Sequence, residues 1–159
     1  MPKITPNLWF DTNGLEAAEF YCSVFPNSKI TSVMRNGEGG PGPAGSVLTL
    51  TFVLDGQAFV ALNGGPHFKF TEAVSFVVNC KTQKEVDHYW EKLSAGGDEK
   101  TQQCGWLKDK YGLSWQIVPD VLGKMMRDKD PKKSESVTRA LLQMKKLDIQ
   151  TLKQAYDQK

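Results

Sequence analysis

The residues able to do acid–base or metal chemistry are few, and the two histidines are the most informative of them. His67 follows an Asn-Gly-Gly-Pro turn at residues 63–66 and precedes two phenylalanines, which predicts an aromatic loop at the end of a strand. His88 lies inside a predicted helix, on the face away from its apolar stripe, where a solvated side chain is expected. Because metal or base catalysis usually needs several His, Cys, Asp or Glu side chains in one cavity, only His67 is kept as a candidate for ligand binding.

The three cysteines indicate reduced thiols rather than a disulfide framework or a metal clip. Cys22, Cys80 and Cys104 are too few and too widely spaced for either. Cys104 precedes Gly105 at a predicted turn and is a candidate thiol nucleophile. No histidine or basic residue is adjacent in sequence to activate it, so a structural thiol is favoured.

A second group of candidates comes from the alternation of side chains along predicted strands. In the last strand, the apolar residues at positions 113, 115 and 117 share the face that should pack on a helix. Ser114 and Gln116 are then left on the open face. The same alternation places Asn7 and Ser75 on the open faces of two further strands, with Asn63 at the end of another.

These neutral polar side chains predict a site for a small molecule rather than for a metal ion. Amide and hydroxyl groups can hydrogen-bond an organic ligand, whereas Zn²⁺ and Fe²⁺ are held mainly by imidazole, thiolate and carboxylate groups. No metal ligand is therefore assigned, no cofactor is expected, and a divalent metal is disfavoured. With aromatic walls added to the polar contacts, the predicted ligand-binding residues are Asn7, Trp9, Phe59, Asn63, His67, Ser75, Trp106 and Gln116.

The elements that must position these residues repeat along the chain. In each half a strand precedes an amphipathic helix, and the apolar positions of the two helices match at a constant offset of 69 residues. The sequence therefore predicts an α+β fold of duplicated βαβββ modules with C-terminal helices. The three strand-like runs after each helix are residues 29–35, 47–54 and 57–63 in the first half, and 99–104, 106–108 and 113–118 in the second.

A glycine- and proline-rich segment at residues 37–45 interrupts the first module. Its glycines are compatible with a phosphate-binding loop, but two prolines remove backbone donors and no helix follows to hold an anion. A mobile hairpin loop that could cover a cavity is the favoured interpretation.

A helical extension is predicted after the second module. We expect one domain, with the modules at residues 1–66 and 72–119 and the extension at residues 120–159. The extension has more apolar residues than one sheet face should need, so its helices either pack on the chain's own sheet or cover a partner. We expect a homodimer with these helices at its interface. The apolar residues are Val121, Leu122, Met125, Met126, Val137, Leu141, Leu142, Met144, Leu147, Leu152 and Tyr156.

Composition and charge narrow the classes of partner. The 159 residues are 40% hydrophobic and 24% charged, which are globular values, and the formal net charge is only +2. This charge provides little attraction for nucleic acid or an anionic membrane, so neither is an expected partner. The first residues do not form a signal-peptide core, and no run of apolar residues is long enough to span a bilayer. We therefore expect a cytoplasmic protein.

Several motifs resemble those of a known family. They include ITPNLWF at residues 4–10, LNGGP at 62–66, QCGWLKD at 103–109 and YGLSWQIVP at 111–119. Over nearly the whole chain the sequence resembles the PhnB-like branch of the vicinal oxygen chelate superfamily, which has the glyoxalase and bleomycin-resistance fold. Its subgroup is named 3-demethylubiquinone 3-methyltransferase-like.

The resemblance implies an eight-stranded cup with the ligand site on its concave face, and usually a homodimer. In metal-dependent members, His and Glu ligands come from the first and last strands of each module. Here Asn7, Ser75 and Gln116 stand at such positions. The sequence also has no Gly-rich turn from a strand into a helix of the kind that holds a methyl donor, so the methyltransferase activity in the subgroup's name is unsupported by its residues.

Three functions remain open from the sequence. The chain could be a small-molecule enzyme of the superfamily, such as a lyase, isomerase or transferase acting in the concave cavity. It could instead sequester a drug or metabolite without catalysis, as bleomycin-resistance proteins do. The third alternative is a structural dimer whose cavity is vestigial.

Overall fold

The computed structural model describes residues 2–158, and the boundary between two compact units falls between Phe70 and Thr71. No helix in this range is long and apolar enough to cross a membrane. The first unit contains β1 (Asn7–Phe10), α1 (Gly14–Val24), β2 (Lys29–Arg35), β3 (Val47–Leu54) and β4 (Gln57–Asn63). The second contains β5 (Ser75–Cys80), α2 (Gln83–Ser94), a 3-10 turn (Glu99–Thr101), β6 (Trp106–Lys108), β7 (Ser114–Pro119), α3 (Asp120–Met126), α4 (Pro131–Leu142) and α5 (Ile149–Asp157).

The first unit is the predicted βαβββ module. Its sheet has the order β1-β4-β3-β2, in which β1 runs parallel to β4 and the other neighbours are antiparallel. Leu8 and Phe10 are buried while Asn7 is exposed, so β1 alternates as the sequence predicted. Helix α1 covers the buried face, with Ala17 and Tyr21 in the core.

The second unit is one strand shorter than predicted. Its sheet has the order β5-β7-β6, and the predicted strand at residues 99–104 is wrong. Asp98 starts a 3-10 turn there, because its carboxylate accepts a hydrogen bond from Lys100 N at 2.9 Å. Only an isolated bridge between Gln103 and Trp106 follows. The described residues therefore form seven strands in two sheets, rather than the eight that the resemblance implied.

The free edge of this second sheet meets the loop between α4 and α5. Cys104 and Gly105 form a tight turn in which both residues have positive φ angles, 53° and 87°. Their backbone N–H groups donate to the carbonyls of Met144 and Lys145, both at 2.8 Å. The C-terminal extension thus satisfies the backbone N–H groups of this turn.

The C-terminal helices bury their apolar residues within the second unit. Leu122, Met125, Val137, Leu147 and Leu152 form one buried cluster. The Gln83 side chain also ties α2 to the start of α5: it donates to Leu147 O at 3.0 Å and accepts from Ile149 N at 2.8 Å.

The expectation of surplus apolar surface on these helices is therefore wrong. Of the apolar residues that suggested an interface, only Met126 and Leu142 are exposed, because the helices pack on one another as well as beside the sheet. The homodimer itself stays a prediction.

The buried cluster predicts a large difference between two leucines of the extension. Leu152→Ala removes a fully buried side chain, so we expect the free energy of unfolding to fall by about 2–5 kcal/mol. Leu142 is 55% exposed, and Leu142→Ala should change it by less than about 0.5 kcal/mol. Chemical denaturation measures both. Equal effects of the two changes would contradict the packing described here.

Candidate functional site

The first unit contains a cavity of about 610 Å³ between the glycine- and proline-rich loop and the ends of β1 and β4. Three of the predicted site residues, Trp9, Asn63 and His67, line it. The loop contributes Pro41, Gly42 and Pro43, in agreement with the prediction that this segment could cover a cavity. Residues separated by more than fifty positions thus meet at one site.

Trp9 is a rigidly held wall of the cavity. Its indole Nε1 donates to Gly65 O at 2.9 Å, and the Phe68 ring meets it edge-on at 4.9 Å between centroids. A Cβ atom at Gly64 would lie 2.3 Å from the indole ring, so only glycine permits this close approach. The Gly-Gly pair therefore fixes the tryptophan before any ligand binds.

Asn63 is a structural clamp as well as a lining residue. Its Oδ1 accepts from Gly14 N at 2.8 Å, and its Nδ2 donates to Val47 O at 3.1 Å. A Cβ at Gly14 would lie only 2.7 Å from Oδ1, which explains the glycine at the first position of α1. Both ends of the carboxamide are thus engaged in holding α1 and β3 to the end of β4.

Asn36 anchors the loop and was missed by the sequence reasoning. It is 7% exposed, and its backbone N donates to Ser46 O at 2.8 Å while its O accepts from Gly45 N at 2.8 Å. Its Nδ2 also donates to Ser46 Oγ at 2.9 Å. An asparagine directly before a glycine-rich turn and a serine directly after it are the sequence signal for this closure.

Asp11 and Thr12 are further lining residues that the sequence reasoning treated only as a turn. They follow β1 directly, so the parallel pairing of β1 with β4 brings them beside the Gly-Gly turn. The backbone contact is Gly65 N donating to Asp11 O at 3.1 Å. Polar residues at the ends of adjacent parallel strands are the signal that could have identified them.

In the second unit, the predicted alternation of β7 is confirmed. Trp115 and Ile117 are buried, and Gln116 lies on the other face, where its Nε2 donates to Ser75 Oγ at 2.9 Å. Trp106 is the register partner of Gln116 and shares that face. Ser75, Trp106 and Gln116 therefore form one polar–aromatic patch on the second sheet.

Lys108 and Ser114 extend this patch and were not predicted as site residues. They are register partners, and Lys108 forms an ion pair with Glu72, which lowers the pKa of the glutamate. Ser114 is buried, and no hydrogen-bond partner for its Oγ is found within residues 2–158.

The assignment of Phe59 as a wall of the open site is wrong. It is 5% exposed and stacks on Phe52 at 5.3 Å between centroids, on the face of the sheet that packs against α1. Asn7 is exposed on the same face of β1 as Trp9, but it does not line the cavity. His67 lines the cavity from an exposed position, and His88 is exposed on α2.

The donor set does not fit a metal ion. Within residues 2–158, no three or more His, Cys, Asp or Glu side chains come together in a way that could hold one.

The fold and site define the class of protein to which the chain belongs. It has the glyoxalase and bleomycin-resistance-like fold of the vicinal oxygen chelate superfamily. The family model described as 3-demethylubiquinone-9 3-methyltransferase matches residues 2–118, and the chain belongs to this family. Helices α3 to α5 lie beyond the matched residues. No curated protein matches the chain.

Solved structures agree with this assignment. The PhnB protein from Bacillus cereus is 38% identical, with a TM-score of 0.67 over 74% of this chain and 98% of that one. Protein PA1353 from Pseudomonas aeruginosa is 19% identical, with a TM-score of 0.57 over 75% and 98%. The fosfomycin resistance protein FosX from Listeria monocytogenes is 16% identical, with a TM-score of 0.56 over 80% and 100%. The last two are similar in fold alone.

The clamp predicts that Asn63 contributes to stability. Asn63→Ala leaves Gly14 N and Val47 O without these partners, so we expect the free energy of unfolding to fall by about 1–3 kcal/mol. Asn7→Ala, at an exposed position of the adjacent strand, should change it by less than about 0.5 kcal/mol. Denaturant titration checks both. An Asn63→Ala variant as stable as Asn7→Ala would show that the clamp does not hold the module.

The cysteines give a prediction for chemical modification. Burial raises the pKa of Cys80 to about 12, with smaller contributions from Glu85 and Asp120. Near neutral pH this thiol should therefore resist iodoacetamide in the native state and react only after unfolding in guanidinium, as peptide mass spectrometry would show. Rapid native alkylation of Cys80 would contradict its burial.

Because the pKa of Cys80 is raised in the folded state, the contribution of this thiol to the free energy of unfolding is present below about pH 9 and is lost as the pH rises toward 12.

Proposed function

We propose that the cavity beside Trp9 binds a small organic molecule, and that this binding is the function of the chain. The rigidly held indole is the observation that carries the proposal, because an aromatic surface fixed in advance lowers the entropy cost of binding. The cavity volume of about 610 Å³ is in the usual range for small-molecule sites. The apolar part of its lining includes Val47, Leu48 and Leu62.

Reversible binding or sequestration is favoured over catalysis. Asp11 and His67 are the ionisable residues that line the cavity, and both are exposed, whereas acid–base groups tuned for catalysis are usually partly buried. The alternative is an enzyme of the superfamily, a lyase, isomerase or transferase, in which these two residues would have to serve as acid and base. We propose no resident metal for this site, since within residues 2–158 no three or more His, Cys, Asp or Glu side chains come together in a way that could hold one. We propose no methyl-donor cofactor either, since the sequence has no Gly-rich turn from a strand into a helix.

We also propose that the protein is a cytoplasmic homodimer. The three free cysteines support a location in a reducing compartment. Exposed Val33 and Met34 on the edge strand β2 offer apolar surface for a second copy. Sedimentation of the purified protein tests the dimer, for which the expected mass is twice the 17.7 kDa of one chain.

Binding is tested with a variant that fills the cavity. We take 2-naphthol and a short-chain 3-demethylubiquinol as probes, the second because of the family's name. For 2-naphthol, calorimetry should give a dissociation constant of about 0.1–1 mM with the natural sequence, as expected for a ligand of this size. Leu62→Trp should weaken binding about tenfold or more, because Leu62 lines the cavity.

Val60→Trp is the matched control. Val60 lies on the same face of β4 but does not line the cavity, so its replacement should leave affinity unchanged within about twofold. Equal loss of binding in the two variants, with both still folded, would place the ligand elsewhere. Absence of binding of both probes to the natural sequence would overturn the proposed function.

A further inference from the structure

Four polar side chains around the cavity already use their hydrogen-bond donors within the protein, whereas Thr12 and His67 also line it. Trp9 Nε1 and Asn63 Nδ2 each donate to a backbone carbonyl, at 2.9 Å and 3.1 Å. Asn36 Nδ2 donates to Ser46 Oγ at 2.9 Å, and the Ser46 hydroxyl in turn donates to a backbone carbonyl at 2.5 Å. These four side chains therefore have little donor capacity left for a ligand.

A strong acceptor lines the same cavity. The Asp11 carboxylate can accept several hydrogen bonds, and its side chain is exposed. Asn36 Oδ1 also takes no hydrogen bond within residues 2–158, but this atom is buried, so it offers no acceptor to a ligand in the cavity.

The charged residues that line the cavity favour the same kind of ligand. Of the fifteen lining residues, all within residues 2–158, Asp11 is the one acidic residue and none is lysine or arginine. An anionic ligand would lose hydration and gain no lysine or arginine partner among these residues in exchange. A cation or a hydroxyl donor would hydrogen-bond to the Asp11 carboxylate. Hydrogen bonds to a carboxylate are stronger than those between neutral groups.

We infer that the Trp9 cavity selects neutral or cationic molecules that donate hydrogen bonds, such as amines and alcohols with an aromatic body, and that Asp11 sets this selectivity. The inference rests on the proposed function of small-molecule binding. It names the chemical class of the ligand: anions, including phosphonates and carboxylates, are excluded. Asp11 acts here as a specificity residue at the mouth of the cavity, where it remains exposed.

Four probes with one ring system separate charge from shape. They are 2-naphthol, 2-methoxynaphthalene, 2-naphthylmethylammonium and 2-naphthoate, in which the head group is a neutral donor, an acceptor only, a cationic donor and an anion. Calorimetry with the full chain should give the tightest binding for the ammonium, then the hydroxyl compound. The carboxylate should bind at least about tenfold more weakly than the ammonium, and raising the salt concentration should narrow this gap.

Two aspartate variants identify the residue responsible. Asp11→Asn should weaken ammonium binding about three- to tenfold and strengthen carboxylate binding, while 2-methoxynaphthalene changes by less than about twofold. Asp55→Asn removes the same charge from the exposed turn between β3 and β4, outside the cavity lining, and should leave all four affinities unchanged. Asparagine tolerates the positive φ of 45° at position 55, so this control should fold normally.

The outcomes distinguish this inference from the proposed function beneath it. Carboxylate binding as tight as ammonium binding, or an unchanged ratio in Asp11→Asn, would overturn the selectivity and leave small-molecule binding intact. Failure of all four probes to bind would overturn both. Weakening of all four ligands by Leu62→Trp, together with the Asp11-dependent order, would support both.

Discussion

The carboxamide of Asn63 is the contact on which the first unit depends. It joins the start of α1 to the start of β3 through Gly14 N and Val47 O, partners 49 and 16 residues away in sequence. Both groups lie at element ends, where backbone atoms lack regular partners. By satisfying them, the side chain fixes the end of β4, and the Gly-Gly turn that holds Trp9 begins at the next residue. The cavity wall is thus built on a polar contact rather than on apolar packing alone.

Small residues make this arrangement possible. Gly14 lets the start of α1 approach Asn63, and Gly64 lets the Trp9 ring lie against the backbone. In each case a methyl group would stand closer than 3 Å to another atom, so the requirement is for space rather than for an unusual φ angle. The indole is therefore held by its Nε1 hydrogen bond on one side and by close backbone packing on the other. A wall fixed in this way loses little freedom on binding, which favours recognition by shape.

The alternation of polar and apolar residues predicted which side chains of β1, β5 and β7 lie on the core face and which on the open face, because each of these strands combines both kinds of residue. It failed at Phe59, because β4 reads Gln-Ala-Phe-Val-Ala-Leu-Asn and its two polar residues, at the ends of the strand, share the alternation of the buried Phe59. The sequence after residue 98 predicted a strand, but the Asp98 carboxylate caps a 3-10 turn there, and this capping competes locally with strand pairing. Asp11 and Asn36 were missed for a different reason. Their place at the cavity depends on strand pairing and loop closure between distant segments, which spacing along the chain does not record.

The missing strand and the helical extension have a common explanation. In the first sheet β3 pairs with β2 at its outer edge, whereas in the second sheet β6 has no fourth strand beside it. An open edge of this kind exposes backbone groups that invite pairing with another chain. Beside β6, the Cys104–Gly105 turn donates to carbonyls of the loop between α4 and α5, and Leu147 packs against Gly105. Because the family match ends at residue 118, this closure comes from residues outside the family's common core. The extension is therefore best understood as the element that completes the second unit, and its buried cluster stabilises that closure.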